Sequence, residues 1–132
     1  MASDDADFSD DFCRFLQDAV PSVDAAELLL LLRRERARAW SSREAVAALA
    51  PGVALSESEV SRHLESYRAR GLLVAEADGR LRYQPAAEPL AQHARTLDKV
   101  YRERPVTLIR VIYGLRDKKI RSFADAFKLR RK

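Results

Sequence analysis

The side chains that offer chemistry in this chain are mostly serines and arginines, and they fall into three groups. The stretch "SSR" supplies Ser41, Ser42 and Arg43; "SEVSRHLESYRAR" supplies Ser58, Ser61, Arg62 and Arg68 at helical spacing; "DGRLR" supplies Arg80 and Arg82, two residues apart. Hydroxyls and guanidiniums donate hydrogen bonds to phosphate oxygens, and an arginine can also take a guanine edge through two parallel N–H groups. That chemistry is recognition of a polyanion, not bond breaking. No glycine-rich phosphate loop, nucleophile motif or pair of catalytic carboxylates is found, and four glycines leave little from which to build one. Neither an enzyme nor a cofactor is expected. His63 and His93 lie far apart in sequence and read as helix-surface or packing residues, not as metal ligands. The single cysteine, Cys13, sits among Asp10, Asp11 and phenylalanines, where neighbouring carboxylates disfavour the thiolate that a redox sensor needs.

Composition narrows the setting for these groups. At 132 residues and 47% hydrophobic, the chain is sized for one core with terminal arms. One cysteine forms no internal disulfide, the acidic opening "MASDDADFSDDF" is unlike a secretory signal, and no apolar run approaches a membrane span. A soluble cytoplasmic protein is the expectation. Charge is polarised along the chain: residues 1–27 hold eight acids against Arg14, and residues 99–132 hold twelve bases against Glu103, Asp117 and Asp125. Such a tail suits an acidic partner, which is a nucleic acid, another protein or this chain's own N-terminus.

The elements that must position the serines and arginines follow from periodicity and punctuation. Phe8, Phe12, Phe15, Leu16 and Ala19 predict an amphipathic packing helix from about Ser9 to Val20, ended by Pro21. A second helix is expected after Asp24, which stands three before Glu27 in a capping-box arrangement. Its run Leu28 to Leu32 points all round, so more than one neighbour must cover it. Ser41 with Glu44 and Ser56 with Glu59 are two further capping boxes, opening a short helix and then a longer one whose inner stripe is Val60, Leu64 and Tyr67. Gly71 supplies a left-handed stop, and Trp40 reads as a core plug. Asp78-Gly79 predicts a two-residue hairpin turn pairing Ala77 with Arg80 and Val74 with Tyr83, with Val74, Leu81 and Tyr83 facing the core and Arg80 and Arg82 facing out. From about Glu88 to Glu103, the spacing of Leu90, Ala94, Leu97 and Tyr101 gives a narrow seam of the kind that packs along a partner helix. "RPVTLIRVIYG" fits a short helix opened by Pro105 or a β-branched strand, with the helix preferred. After it, Ile120, Phe123, Ala124 and Phe127 predict a basic amphipathic end helix.

Helix, helix, turn, helix, hairpin over roughly Asp24 to Pro85 resembles the winged helix-turn-helix domain of bacterial transcriptional regulators of broad MarR-like type, carried by "ELLLLLRRERARAWSSREAVAAL" and "SEVSRHLESYRARGLLVAEADGRLRYQP". The resemblance implies a mainly α fold with a small β-hairpin, divided into an acidic helical arm (1–21), a winged domain (22–86) and a helical extension with a basic tail (87–132). It implies double-stranded DNA as partner and makes the helix after the hairpin a dimerising or packing extension, with Leu90, Ala94, Leu97 and Tyr101 as the interface of a homodimer. On that reading Ser58, Ser61, Arg62 and Arg68 enter the major groove, Ser41, Ser42 and Arg43 hold phosphate, and Arg80 and Arg82 follow the backbone. Glu57 and Glu65 oppose it, because charge along Ser56 to Arg70 cancels. The alternative is a winged-helix docking module that binds another protein through the basic tail or the acidic arm.

Overall fold

The computed structural model describes the backbone of residues 7–130 and the side chains of residues 7–117. Residues 1–6 of the acidic arm and the side chains of the basic tail lie outside the described residues, and so do the positions expected to form the amphipathic face of the end helix.

Helix α1 (Asp10–Ala19) is capped by Ser9, whose hydroxyl accepts from the Phe12 N–H at 3.2 Å. Its apolar positions lie one turn apart, so Phe12, Phe15, Leu16 and Ala19 are all buried, as an amphipathic packing helix requires. Helix α2 (Val23–Arg34) begins two residues earlier than expected, and its cap is Ser22, not Asp24. The Ser22 hydroxyl accepts from the Ala25 N–H at 3.1 Å. Four of the five consecutive leucines (Leu28, Leu29, Leu30, Leu32) have no exposed surface. Cover comes from within the chain: α2 packs on the later helix α5 and on strand β3.

The small sheet has the order β1-β3-β2, all antiparallel, with β1 at Ala39–Trp40, β2 at Leu73–Ala75 and β3 at Leu81–Tyr83. Strand β1 was not expected. Two residues are too short to show alternation, yet Trp40 pairs with Leu81 and brings its buried ring into the core. The hairpin register also differs from the expected one. Leu73 faces Tyr83, Val74 faces Arg82 and Ala75 faces Leu81. Gly79 has φ +90, its N–H reaches the Glu76 carbonyl at 3.0 Å, and the Glu76 N–H reaches the Arg80 carbonyl at 2.8 Å. The connection is therefore a three-residue loop, Ala77-Asp78-Gly79, with glycine in the left-handed position. The added loop residue shifts β2 by one, so Leu73 and not Val74 shares the core face with Tyr83.

Between β1 and the hairpin lie α3 (Ser42–Ala48) and α4 (Glu57–Ala69), each opened by the capping box expected for it. Helix α4 buries Val60, Leu64 and Tyr67, and the Tyr67 hydroxyl donates to the Ala25 carbonyl at 2.7 Å, fastening α4 to α2. The helix stops as predicted. Gly71 has φ +88, the Leu72 N–H bonds the Tyr67 carbonyl at 2.9 Å and the Gly71 N–H bonds the Arg68 carbonyl at 3.0 Å, a Schellman motif.

Helix α5 (Glu88–Glu103) turns two of the four residues of the expected dimer seam into the chain's own core. Ala94 and Leu97 are fully buried against the chain's own core together with Val100, and Leu90 and Tyr101 are half-buried beside them. The Tyr101 hydroxyl is held by Glu27 of α2, and Arg33 of α2 reaches Asp98 of α5 at 2.7 Å. Ala94 and Leu97 have no exposed surface in the chain, whereas Leu90 and Tyr101 keep part of theirs. Helix α6 (Pro105–Arg130) is one continuous helix of 26 residues, where a short helix and a separate end helix were expected. Pro105 sits at its first position, and Gly114 passes through it in open space. Leu108 and Ile112 of α6 are buried, and α6 packs on α1 and α5. The whole is mainly helical with a small three-stranded antiparallel sheet, an arrangement compatible with a winged helix. Among the described residues no helix is long and apolar enough to cross a membrane.

Candidate nucleic-acid interface

The inner stripe of α4 leaves Glu57, Ser58, Ser61, Arg62, Glu65 and Arg68 exposed on its outer face. Ser42, Glu57, Ser58, Ser61, Arg62 and Glu65 line a shallow depression of about 590 Å³ between α3 and α4. A second depression of about 410 Å³ lies between α4 and the hairpin, and its walls include Trp40, Ser41, Arg68, Ala75, Gly79 and Leu81. Ser42, Ser61 and Glu65 border both, so one groove runs from the start of α4 to the hairpin loop. The fold thus gathers Ser41, Ser42, Ser58, Ser61, Arg62 and Arg68 from distant parts of the chain into one open surface.

The start of α3 differs from the expected phosphate cradle, because its polar groups are met internally. The Ser41 hydroxyl accepts from the Glu44 N–H at 3.1 Å, and Glu44 Oε1 accepts from the Ser41 N–H at 2.9 Å. The Ser41 N–H, followed by the Arg80 and Arg38 guanidiniums, holds the Glu44 carboxyl below its ordinary range. A carboxylate already occupies that end of the helix. Arg43 is exposed beside it, whereas Ser41 and Ser42 are half-buried.

Most of the arginines named from the sequence are paired with carboxylates. Arg68 is bonded to Glu65, its Nε standing 3.0 Å from Oε2. Arg80 reaches Glu44 at 3.2 Å and Asp78 at 3.7 Å, and Arg82 reaches Glu76 at 3.2 Å. Arg43 and Arg62 are exposed and, among the described residues, within ion-pair distance of no carboxylate. The hairpin itself is open: Ala77, Asp78, Gly79 and Arg80 are exposed, and Arg82 is half-buried on the face away from Tyr83. His63, on α4, stacks on Tyr67 with ring centroids 6.3 Å apart, and burial followed by the Arg62 charge pushes its pKa down. His93 stacks on Phe15 at 5.1 Å. Both histidines are packing residues, and among the described residues no group of three His, Cys, Asp or Glu side chains is placed to hold a metal.

Arg38 was missed. Its guanidinium lies over the Trp40 ring, 3.7 Å from the centroid, and it stands 3.7 Å from Glu44 Oε2. The signal was present in "RAW": two residues apart in an extended segment put both side chains on one side. The acidic arm does not cover the groove with its described residues. Asp7 binds Lys99 at 3.1 Å and also Arg104, at the junction of α5 and α6. Comparison with family models, with curated proteins and with solved structures gave no match for this chain.

Proposed function

We propose that this chain is a winged-helix DNA-binding protein acting as a transcriptional regulator, with α4 entering the major groove and the β2–β3 hairpin lying on the backbone. The observation that carries the reading is the single groove linking the outer face of α4 to the hairpin loop, with Ser58, Ser61 and Arg62 at one end and Gly79 at the other. The element order supports it too. A helix, a short strand, two helices and a hairpin whose second strand pairs with the first short strand is the arrangement by which a winged helix sets its wing beside its third helix.

The charge balance sets the expected affinity. Exposed ion pairs contribute about 0–1 kcal/mol each, so Arg68, Arg80 and Arg82 exchange a carboxylate for a phosphate at little cost. Arg43 and Arg62 need no such exchange. A few phosphate contacts per molecule give binding that weakens steeply with salt, roughly in proportion to the number of contacts. The test is a mobility shift with fragments from the gene's own upstream region at two salt concentrations. Duplex binding that falls with salt and falls again in the Arg62→Ala and Arg80→Ala/Arg82→Ala variants supports the reading; absence of any shift from a folded protein overturns it.

A specific observation favours a second reading, a protein-docking module: the pairs Arg68–Glu65, Arg80–Glu44 and Arg82–Glu76 leave the face nearly charge-balanced. This reading requires no salt-dependent shift, and loss of a co-purifying protein when the segment after Lys118 is removed.

A further inference from the structure

We infer that Arg38 and Arg80 form a phosphate-binding pair at the root of the hairpin, which receives one phosphodiester of duplex DNA beside the groove. The inference rests on the DNA-binding reading above and adds to it a residue that the reading does not use. One carboxylate oxygen, Glu44 Oε2, draws both guanidiniums, Arg80 at 3.2 Å and Arg38 at 3.7 Å. Two guanidiniums converging on one anionic oxygen is the geometry that a phosphate oxygen takes between arginines.

The pair is pre-positioned from both sides. The Arg38 guanidinium carbon stands over Trp40, 3.7 Å from the ring centroid, and Trp40 is 1% exposed and anchored by its pairing with Leu81, so the platform under the guanidinium is fixed. Arg80 follows the loop glycine, and its N–H is held by Asp78 Oδ1 at 3.0 Å. Glu44 keeps its structural duty through its other oxygen, which stays on the Ser41 N–H at 2.9 Å. Releasing Oε2 therefore leaves the cap of α3 intact. Arg38 and Arg80 also border an open depression of about 560 Å³ with Ala39, Glu76, Ala77 and Asp78. Of the two carboxylates there, Glu76 is partnered by Arg82, and Asp78 stands 3.7 Å from Arg80, which it shares with the phosphate.

The test measures duplex affinity of the full chain between 50 and 200 mM salt, with Trp40, the one tryptophan of the chain, as a second reporter. Arg38→Met keeps an apolar chain over the indole and removes the charge, so it separates phosphate binding from packing. The slope of log affinity against log salt is expected to fall by about 0.9 in Arg38→Ala and Arg38→Met and to be restored in Arg38→Lys. Arg36→Ala is the charge-matched control, because Arg36 reaches the Arg33 carbonyl at 3.2 Å instead of the hairpin root, and its slope is expected to match the unmodified protein. Saturating duplex is expected to change Trp40 emission in the unmodified protein and in Arg36→Ala, and to leave it unchanged in Arg38→Met. An unchanged slope in Arg38→Met while Arg62→Ala still weakens binding overturns the Arg38–Arg80 pair and spares the DNA reading. An equal fall in Arg36→Ala also overturns the pair, since it reduces the effect to general charge. Absence of duplex binding by the unmodified protein overturns both.

Discussion

Replacing Leu97 by alanine separates an internal core from a subunit interface more sharply than any other single change. Leu97 has no exposed surface and lies on α5 between Ala94 and Val100, within the cluster that also holds Phe12, Leu28 and Leu108. Cutting a fully buried leucine back to alanine removes its transfer free energy and leaves a cavity, which together cost about 2–5 kcal/mol. For a chain of this length, a loss of about 3 kcal/mol corresponds to a fall in Tm of roughly 10–15 °C. The assay is urea unfolding followed by helical circular dichroism at two protein concentrations tenfold apart. Because Leu97 is enclosed by its own chain, the loss is expected to be the same at both concentrations. A loss below about 1 kcal/mol, or one that depends on protein concentration, refutes the assignment of the seam to the core and returns it to a dimer contact.

Three other outcomes follow from particular contacts. Gly71→Ala forces a side chain into φ +88 with its new methyl 3.3 Å from Leu90 Cδ1; a loss of at least about 1–2 kcal/mol is expected in the same urea assay. Burial, then Arg62, lowers the His63 pKa from 6.5, so below that pH the unfolded chain takes up a proton that the folded chain keeps off. Stability from this source is complete above pH 6.5 and is lost as pH falls toward the folded pKa, and His63→Gln is expected to flatten the difference between urea midpoints at pH 7.5 and 5.5. The Glu44 and Glu59 carboxyls are both held below 4.5, chiefly by the backbone N–H groups that they cap. Their contribution is present above pH 4.5 and is lost as pH falls through the lowered values, so Glu44→Gln and Glu59→Gln are expected to weaken the acid-side decline in stability.

Local chemistry made much of this fold readable. The capping boxes at Ser41 and Ser56, the stop at Gly71 and the inner stripe of α4 each depend on residues within one or two turns, where spacing is a direct guide. The misreadings came where two local solutions compete or where the decision is tertiary. Asp24 with Glu27 and Ser22 offer rival caps, and the serine won because the chain is still extended there. Asp78-Gly79 permits either a two-residue or a three-residue turn, and the burial of Leu73 beside Tyr83 fixed the longer one. Strand β1 exists only because β3 is there to pair with it. A leucine seam looks the same whether its partner helix belongs to this chain or to another, and in the fold Ala94 and Leu97 are buried against this chain's own core. At the candidate site, the residue types and their shared face were legible in the sequence. Of the pairs that occupy the arginines, Arg68–Glu65 is local to one turn of α4, but Arg82–Glu76 depends on the hairpin register and Arg80–Glu44 on how the hairpin lies against α3.

The most direct test of the account is to map backbone amide shifts in a ¹⁵N-labelled sample titrated with a DNA duplex. Shifts concentrated at Ser58, Ser61 and Arg62 of α4 and at Gly79 and Arg80 of the hairpin are the expected result. Shifts confined to α1 or α6, or none at low salt, would contradict the claim that the groove between α4 and the hairpin is a DNA-binding surface.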